Sequence, residues 1–447
     1  MINGVNQMST VIVTDPRTVA TATNQSKPRD IVSLLTLYVV FLMAIPSRYT
    51  FAPLGGAGAP STVLGVVFLC AYLLRWVHPA SPIGSVRQPL RGVALGVFCA
   101  FVASYLAANL HKMAPLEQNG ADRGIILICG WVGILMLTAD GVSSLERLHV
   151  LLRRIVFGAS AMAALGITQF FTGLNIARYI VIPGLRANQP YTDIAVRGSY
   201  NRPSATAIHP IEFGFVLATV LPIAIHRARF APKNKKFMRW LQVVLISVAL
   251  PMTVSRSAIL GFVIVMAVIL PVWPARDRWR ALGLIAIGIL GLQVLVPGIV
   301  RNLNRLFFAI GTDASTASRT NALSDAVPLI GQHPWFGEGF GTFMPSVFFY
   351  TDDQYLNSAI ELGLVGVAAI VVLFSTGLWS ARDVRRRSAD PEIRHLGQCM
   401  AASCTVLLVI YGVFDAFYFP MAAGITFLML GCLAALWRLT REPTVAP

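Results

Sequence analysis

The chain has 447 residues, of which 55% are hydrophobic and 13% are charged, and its mean hydropathy is +0.67. This composition excludes an ordinary soluble globular protein and predicts an all-α, polytopic integral membrane protein. The formal net charge of +16 at pH 7 comes mostly from basic residues beside the predicted helices. Such residues suit contact with membrane lipids, so the charge does not indicate a nucleic-acid partner.

The order of polar and apolar segments predicts the domain organisation. Residues 1–30 are polar and lack the basic start and apolar run of a secretory signal, so we predict a disordered cytoplasmic tail. Twelve apolar runs then predict twelve transmembrane helices, the first of them short. These runs lie near 31–45, 61–77, 92–110, 124–139, 150–172, 211–225, 237–252, 256–273, 281–297, 357–379, 396–414 and 420–437. The resulting segments are helices 1–9 in 31–297 with an outer loop at 173–210, a large outer loop at 298–356, helices 10–12 in 357–437, and a cytoplasmic tail at 438–447.

The distribution of Lys and Arg predicts the orientation. With the N-terminus inside, 25 of the 36 basic residues fall on the inner side, and the strongest clusters are at 226–240 and 381–395. Cytoplasmic loops carry such an excess, so both termini are predicted to be cytoplasmic. All six cysteines lie inside apolar runs, which argues against a disulfide framework. Their spacing indicates no metal site.

The basic residues predicted on the outer side are nearly all arginine. Arginine presents a planar fork of donors that matches phosphate and carboxylate, so this set suggests recognition of an anionic group. For most of these arginines, contact with lipid headgroups or an ion pair is the favoured explanation. Arg256, in the turn TVSRS between two apolar runs, is different: near lipid it would be costly, so we expect it to face a polar cavity. The long outer loops contain Arg178, Arg186, Arg197, Arg202, Arg301, Arg305 and Arg319.

Three blocks of sequence, in this order, resemble the O-antigen ligase and polymerase superfamily of bacterial envelope glycosyltransferases. They are NRPSATAIHPIEFGFVLATVLPIAI at 201–225, TVSRSAILGF at 253–262, and SRTNALSDAVPLIGQHPWFGEGFGTF with DDQYLNSAIELGLVG within 318–366. Each block alone is weak. The ordered set, together with twelve predicted helices and a large loop after the ninth, covers roughly the second half of the chain and is more specific.

The resemblance implies a function at the outer face of the bacterial cytoplasmic membrane. Enzymes of this superfamily transfer a glycan from a polyprenyl diphosphate carrier to a hydroxyl of a lipid or another glycan, without a metal or other cofactor. Arg256 and Arg319 match the positions whose arginines hold the diphosphate. The ligases carry a His-Asn pair where this chain has Asp352 and Asp353, and this difference favours the polymerase and exopolysaccharide branches.

The acid pair is the candidate catalytic feature. A carboxylate can accept the proton of an attacking hydroxyl, so we assign Asp352 as the general base. Capping of the tenth helix is the alternative role for both acids, and it is the favoured interpretation for Asp353. A metal site is the weakest interpretation, because no third ligand is at a clear spacing. Supporting roles are expected for Arg202, His209, Glu212, Asp353 and Tyr355, although His209 and Glu212 also fit ordinary helix capping.

Two other features have a structural explanation. Gly337, Gly339 and Gly341 suggest tight turns rather than a phosphate-binding loop, because no strand precedes them and no Lys follows. Glu361 is expected to pair with a polar group inside the bundle, since an unpaired acid there would be costly.

Two alternatives to a diphosphate-dependent transferase remain. A transporter or flippase of lipid-linked oligosaccharides should have polar residues deep in many helices, whereas here they gather at one face. A transferase using a polyprenyl monophosphate sugar should have acids in the first outer loop, and residues 46–60 contain none.

Overall fold

A computed structural model describes residues 31–77, 88–188, 193–308, 314–344 and 347–441, and within these ranges not the side chains of 305–308 and 314–320. The predicted tail at 1–30 therefore lies outside the described residues, as do residues 442–447 of the tail predicted at 438–447. The last helix continues to Leu439, two residues into that predicted tail. The fold is all-α. Its helices are α1 (Ile31–Met43), α2 (Pro60–Val77), α3 (Pro89–Ala108), α4 (Pro115–Gly141), α5 (Leu145–Thr172), α6 (Pro210–Arg229), α7 (Lys236–Met252), α8 (Arg256–Ile269), α9 (Ala275–Leu295), α10 (Ile299–Phe308), α11 (Ala314–Gln332), α12 (Gln354–Glu361), α13 (Gly363–Arg387), α14 (Pro391–Ile410) and α15 (Pro420–Leu439).

The described residues contain nine helices that are long and apolar enough to cross a membrane, namely α2–α6, α9 and α13–α15. The α1 and α8 helices are apolar but shorter. A helix overlaps each of the twelve predicted runs, because apolar runs bounded by Pro, Gly or basic residues are strong local signals. The protein is a polytopic membrane protein, as predicted.

The predicted tenth helix at 357–379 is wrong in one respect, because two helices occupy this region. The α12 helix ends at Glu361 and α13 begins at Gly363. Gly363 has a φ of +65°, and a Cβ atom there would lie 2.4 Å from the backbone of Trp335. The chain therefore breaks where another loop packs against its backbone, and the apolar sequence gives no sign of that loop.

The α6 and α15 helices form the centre of the bundle. In the apolar stretch of each helix, 94% of the residues are buried. Around them, small residues let helices approach closely. A Cβ atom at Gly133 of α4 would lie 2.2 Å from the carbonyl oxygen of Gly65 in α2. Such close backbone contact is a usual source of packing energy between membrane helices.

The two ends of the bundle differ. One end, which we call the basic face, contains the starts of α5, α7, α9 and α14 and the ends of α6, α13 and α15. Ion pairs join helices there, including Arg229–Asp277 at 2.7 Å and Arg91–Asp140 at 3.3 Å. The other end, which we call the loop face, contains the segments that follow α5, α7, α9, α11 and α14.

The loop face carries the β-structure of the described chain, which is limited to two short antiparallel pairs. Strand β1 (Tyr49–Thr50) pairs with β2 (Arg186–Ala187), and β3 (Ala195–Arg197) pairs with β4 (Tyr200–Arg202). Because β4 is followed closely by α6, this second hairpin fixes Arg202 near the start of the central helix.

Candidate active site at the loop face

Arg202 connects the first sequence block to the second. It is the last residue of β4, and its Nε donates a 3.4 Å hydrogen bond to the carbonyl oxygen of Thr253. Thr253 follows α7 and lies three residues before Arg256, the first residue of α8. The hairpin is anchored further by the Tyr200 hydroxyl, which donates to the Pro297 carbonyl at 2.7 Å. The arginine of the first loop is therefore placed beside the Ser-Arg turn.

The surroundings of Arg202 are positively charged. Burial, followed by the nearby Arg197 guanidinium, lowers the pKa of Arg202 to about 10, so it stays protonated at neutral pH. Burial, followed by the charges of Arg202 and Arg48, lowers the pKa of His209 to about 4. The cluster therefore presents arginine cations around a neutral imidazole, which suits an anionic ligand.

His209 and Glu212 have the capping roles that ordinary helix chemistry suggests. The Nδ1 of His209 accepts the N–H of Ile211 at 3.2 Å, so the neutral ring caps α6. Glu212 is fully buried, and its Oε2 accepts the N–H of Ile208 at 2.8 Å. Its Oε1 accepts the N–H of Met421 at 2.8 Å, at the start of α15. Glu212 thus joins the N-termini of the two central helices.

The two acids of the third block have different environments. Asp353 is the N-cap of α12, because its Oδ1 accepts the N–H groups of Tyr355 at 2.8 Å and Leu356 at 3.2 Å. Asp352 is half-buried, and no hydrogen bond or ion pair joins its side chain to another residue in the described parts of the chain. The geometry thus leaves the Asp352 carboxylate available to a ligand.

Strained backbone occurs once in each of the three blocks. Ala205, Val254 and Asp352 are the non-glycine residues of the described chain with positive φ, at +52°, +48° and +49°. This conformation is unfavourable for residues with a Cβ, and most of all for a β-branched one such as Val254. Each such residue costs about 1–3 kcal/mol, and strain of this kind concentrates at functional sites.

The glycine-rich loop folds onto Glu361. The Oε1 of this fully buried acid accepts the N–H groups of Gly341 at 2.8 Å and Phe343 at 3.2 Å. It also accepts the hydroxyl of Tyr418 at 2.6 Å. The predicted polar pairing of Glu361 is thus present, and Gly337, Gly339 and Gly341 all have positive φ, as tight turns require.

The segment between α14 and α15 lies between the arginine cluster and the acid pair. The Phe419 ring is centred 6.2 Å from that of His209. At the other side, the N–H of Phe417 donates to Oε1 of Gln354 at 2.7 Å, one residue after the cap. The structure thus brings both groups to one segment, but places no direct contact between Arg202 and Asp352 within the described residues.

Two predicted site residues remain to be located. The Tyr355 hydroxyl donates to the Leu408 carbonyl at 2.6 Å, so this side chain joins α12 to α14. Arg319 is in α11, but its side chain lies outside the described residues.

Sequence reasoning missed Arg48 and Asn357. Arg48 donates to the Ile208 carbonyl at 3.2 Å, next to the cap of α6. Asn357 is fully buried in α12, and neither polar atom of its amide has a partner in the described structure. A signal for Asn357 existed: Gln354, Asn357, Ser358 and Glu361 are spaced three or four apart, which marks a polar stripe on one helix face.

A family match covers this region. Residues 241–371 match the family model Wzy_C, described as O-antigen ligase. The predicted family resemblance is confirmed. This match spans α7 to α13 and includes both Arg256 and Asp352. Residues 241–371, less than a third of the chain, are therefore of the O-antigen ligase type, and the chain is an integral bacterial membrane protein.

A second similarity is shorter. A stretch of 70 residues is 34% identical to the probable peptidoglycan glycosyltransferase FtsW of Halomonas elongata. The aligned stretch covers 15% of this chain and 18% of that relative. This similarity extends over less than a fifth of that relative's length.

Proposed function

We propose that this protein transfers a glycan from a polyprenyl diphosphate carrier to a hydroxyl of a lipid or glycan acceptor at the loop face. The observation that carries the proposal is the contact of Arg202 with the Ser-Arg turn that contains Arg256. It places one arginine from outside the family-matched region against the turn inside it. On this proposal, the loop face is the outer face of the cytoplasmic membrane and both termini are cytoplasmic.

The arginines would stabilise the leaving group. As the bond between the anomeric carbon and the diphosphate breaks, the diphosphate keeps the electron pair and its negative charge grows. Arg256, Arg202 and Arg319 would bind its oxygens through charge-assisted hydrogen bonds. Because the site is partly buried, this stabilisation would be stronger than in water, and removing one such donor typically costs 100- to 1,000-fold in turnover.

Asp352 would act as the general base. The acceptor hydroxyl oxygen forms the new bond to the anomeric carbon while its proton passes to the Asp352 carboxylate. One displacement of this kind inverts the configuration at the anomeric carbon. This chemistry requires no metal, because arginines supply the positive charge and a carboxylate accepts the proton.

The first prediction separates the base from the cap. Asp352→Asn should lower turnover by 100-fold or more, because general-base catalysis contributes about 10²–10⁴-fold. Asp353→Asn should stay within a few-fold of wild type, because Asn is as good an N-cap as Asp. The measurement is release of polyprenyl diphosphate from a lipid-linked glycan by purified protein in nanodiscs.

Arginine variants complete this experiment. Arg256→Gln and Arg202→Gln should each lose about 100- to 1,000-fold in turnover and bind the donor more weakly. Arg178→Gln is the control, since this loop side chain is 51% exposed. Full turnover in both Asp352→Asn and Arg256→Gln, with folding confirmed, would contradict the proposal. Translocation of the lipid-linked glycan would then become the activity to assay.

A further inference from the structure

A large apolar groove lies on the side of the bundle, between α1, α5 and α7. It encloses about 770 Å³, and its walls include Val40, Phe157, Leu165 and Met238. From Arg153 to Leu165 along α5, the groove is about 18 Å long, at 1.5 Å per helical residue. This length is close to one leaflet of the bilayer core, which is about 15 Å thick.

The groove ends at the basic face in a group of arginines. Arg153, Arg227 and Arg239 line its end. The same three residues line an adjoining cavity of about 210 Å³, whose other polar lining residues are His149, His226 and Glu392. A long apolar channel with a small, polar, positively charged chamber at one end has the shape and chemistry of a lipid site. The apolar part suits a hydrocarbon chain, and the chamber suits a phosphate.

The protein does not neutralise these arginines. Arg227 is only 8% exposed, and its guanidinium donates to the carbonyl of Arg153 at 3.4 Å. Arg239 donates to the carbonyl of Arg227 at 3.0 Å. None of the carboxylates in the described ranges forms an ion pair with any of the three. Of the three, Arg227 is the buried cation, and burying a cation without an ion-pair partner is costly. Three arginines also outnumber Glu392, the one carboxylate that lines the chamber, so the chamber favours a bound anion.

A metal ion is the other candidate for this chamber, because His149, His226 and Glu392 offer ligand atoms within 4.8 Å of one another. The hydrogen bonds of His226 argue against it. Trp273 donates its indole N–H to Nε2 of His395, so neutral His395 carries its proton on Nδ1. That Nδ1 lies 3.2 Å from Nδ1 of His226 and 3.5 Å from Sγ of Cys399. When it donates to His226, the His226 proton is on Nε2, which is then an N–H donor suited to an anion and not a lone-pair ligand for a metal.

We propose that this groove is a specific site for one anionic phospholipid of the membrane. Its phosphate is held by Arg153, Arg227 and Arg239 at the basic face, and one acyl chain lies in the groove between α1, α5 and α7. The phosphate end of the site is on the opposite face from the candidate active site, and the groove extends from it toward Ile180 and Thr206 at the loop face. The proposal rests on none of the residues assigned to the transferase reaction.

The test is lipid retention measured by native mass spectrometry. Full-length protein from phosphatidylglycerol nanodiscs should keep one such lipid, and protein from phosphatidylcholine nanodiscs should not. The double variant Arg227→Gln with Arg239→Gln should retain the lipid about 30-fold more weakly, because each such charge contributes about 1 kcal/mol at a membrane surface. The matched control, Arg382→Gln with Arg386→Gln, removes two exposed charges from α13 at the same face and should retain the lipid fully.

A second variant tests the apolar part. Ala161→Phe fills the groove without changing any charge, and it should also reduce lipid retention. Equal retention by all variants, or equal retention of phosphatidylcholine, would overturn the proposal. Binding of inorganic phosphate by delipidated protein, with no effect of Ala161→Phe on lipid retention, would also overturn it, because the chamber would then be a phosphate site and not a lipid site.

Discussion

At the scale of single residues, the roles that could be predicted from sequence are the local ones. Asp353 accepts hydrogen bonds from residues two and three positions ahead, so its capping role follows from sequence spacing alone. Arg202 contacts a carbonyl 51 residues away, and no local pattern indicates that contact. Asp352 is placed by an unfavourable backbone conformation that depends on the loops around it.

His209 gives a prediction about pH. Its pKa is about 4 in the folded protein, below the value of 6.5 for an unperturbed histidine, because burial and two arginines oppose its charge. Between pH 6.5 and 4 the unfolded chain therefore binds a proton that the folded chain does not. The stability associated with neutral His209 is complete above pH 6.5, decreases as pH falls, and is lost below about pH 4.

The measurement compares wild type with His209→Asn, which keeps an N-cap but does not titrate. From pH 7 to pH 5, wild type should lose about 2 kcal/mol more stability than the variant, by the linkage between a pKa shift and folding. Thermal unfolding midpoints at the two pH values provide the comparison. Equal decreases in both proteins would show that His209 is not buried as a neutral group.

At the scale of elements, helix positions could be predicted more fully than helix junctions. Apolar runs located the membrane helices because each run is a property of the local sequence. The break between α12 and α13 could not be located in this way. It depends on the segment around Trp335 and Gly337, which packs against backbone at 360–363 and leaves no room for a Cβ atom.

The glycine-rich loop gives a prediction at this scale. A Cβ atom at Gly337 would lie 2.3 Å from the backbone carbon of Glu361, and its φ of +67° is already unfavourable for alanine. Gly337→Ala should therefore separate the loop from α12, lower the unfolding temperature and reduce turnover. The control is Gly331→Ala in α11, where a Cβ atom meets nothing within 4 Å. There alanine should be neutral or stabilising, since it favours helix more than glycine does. Equal stability of the two variants would mean that the loop is not docked as described.

At the scale of the whole molecule, the two ends of the bundle differ in the charged residues that they contain. Buried carboxylates at the loop face connect helices and loops: Glu212 joins the starts of α6 and α15, and Glu361 holds the glycine-rich loop. The basic face is dominated instead by arginines that pair between helices or line the lipid groove. This asymmetry is what the excess of Lys and Arg along the sequence indicates, and it predicts which face is cytoplasmic.

Cysteine labelling tests that orientation. Arg178→Cys places a thiol on the loop face, where the arginine side chain is 51% exposed, and Arg386→Cys places one on the exposed end of α13 at the basic face. A membrane-impermeant maleimide added to intact cells should label the first variant, and should label the second only after the membrane is permeabilised. The wild type is a suitable background, because its six cysteines are free and all lie within apolar helices. Labelling of Arg386→Cys in intact cells, with Arg178→Cys protected, would reverse the orientation. The candidate active site would then face the cytoplasm, contrary to the orientation that the excess of basic residues predicts.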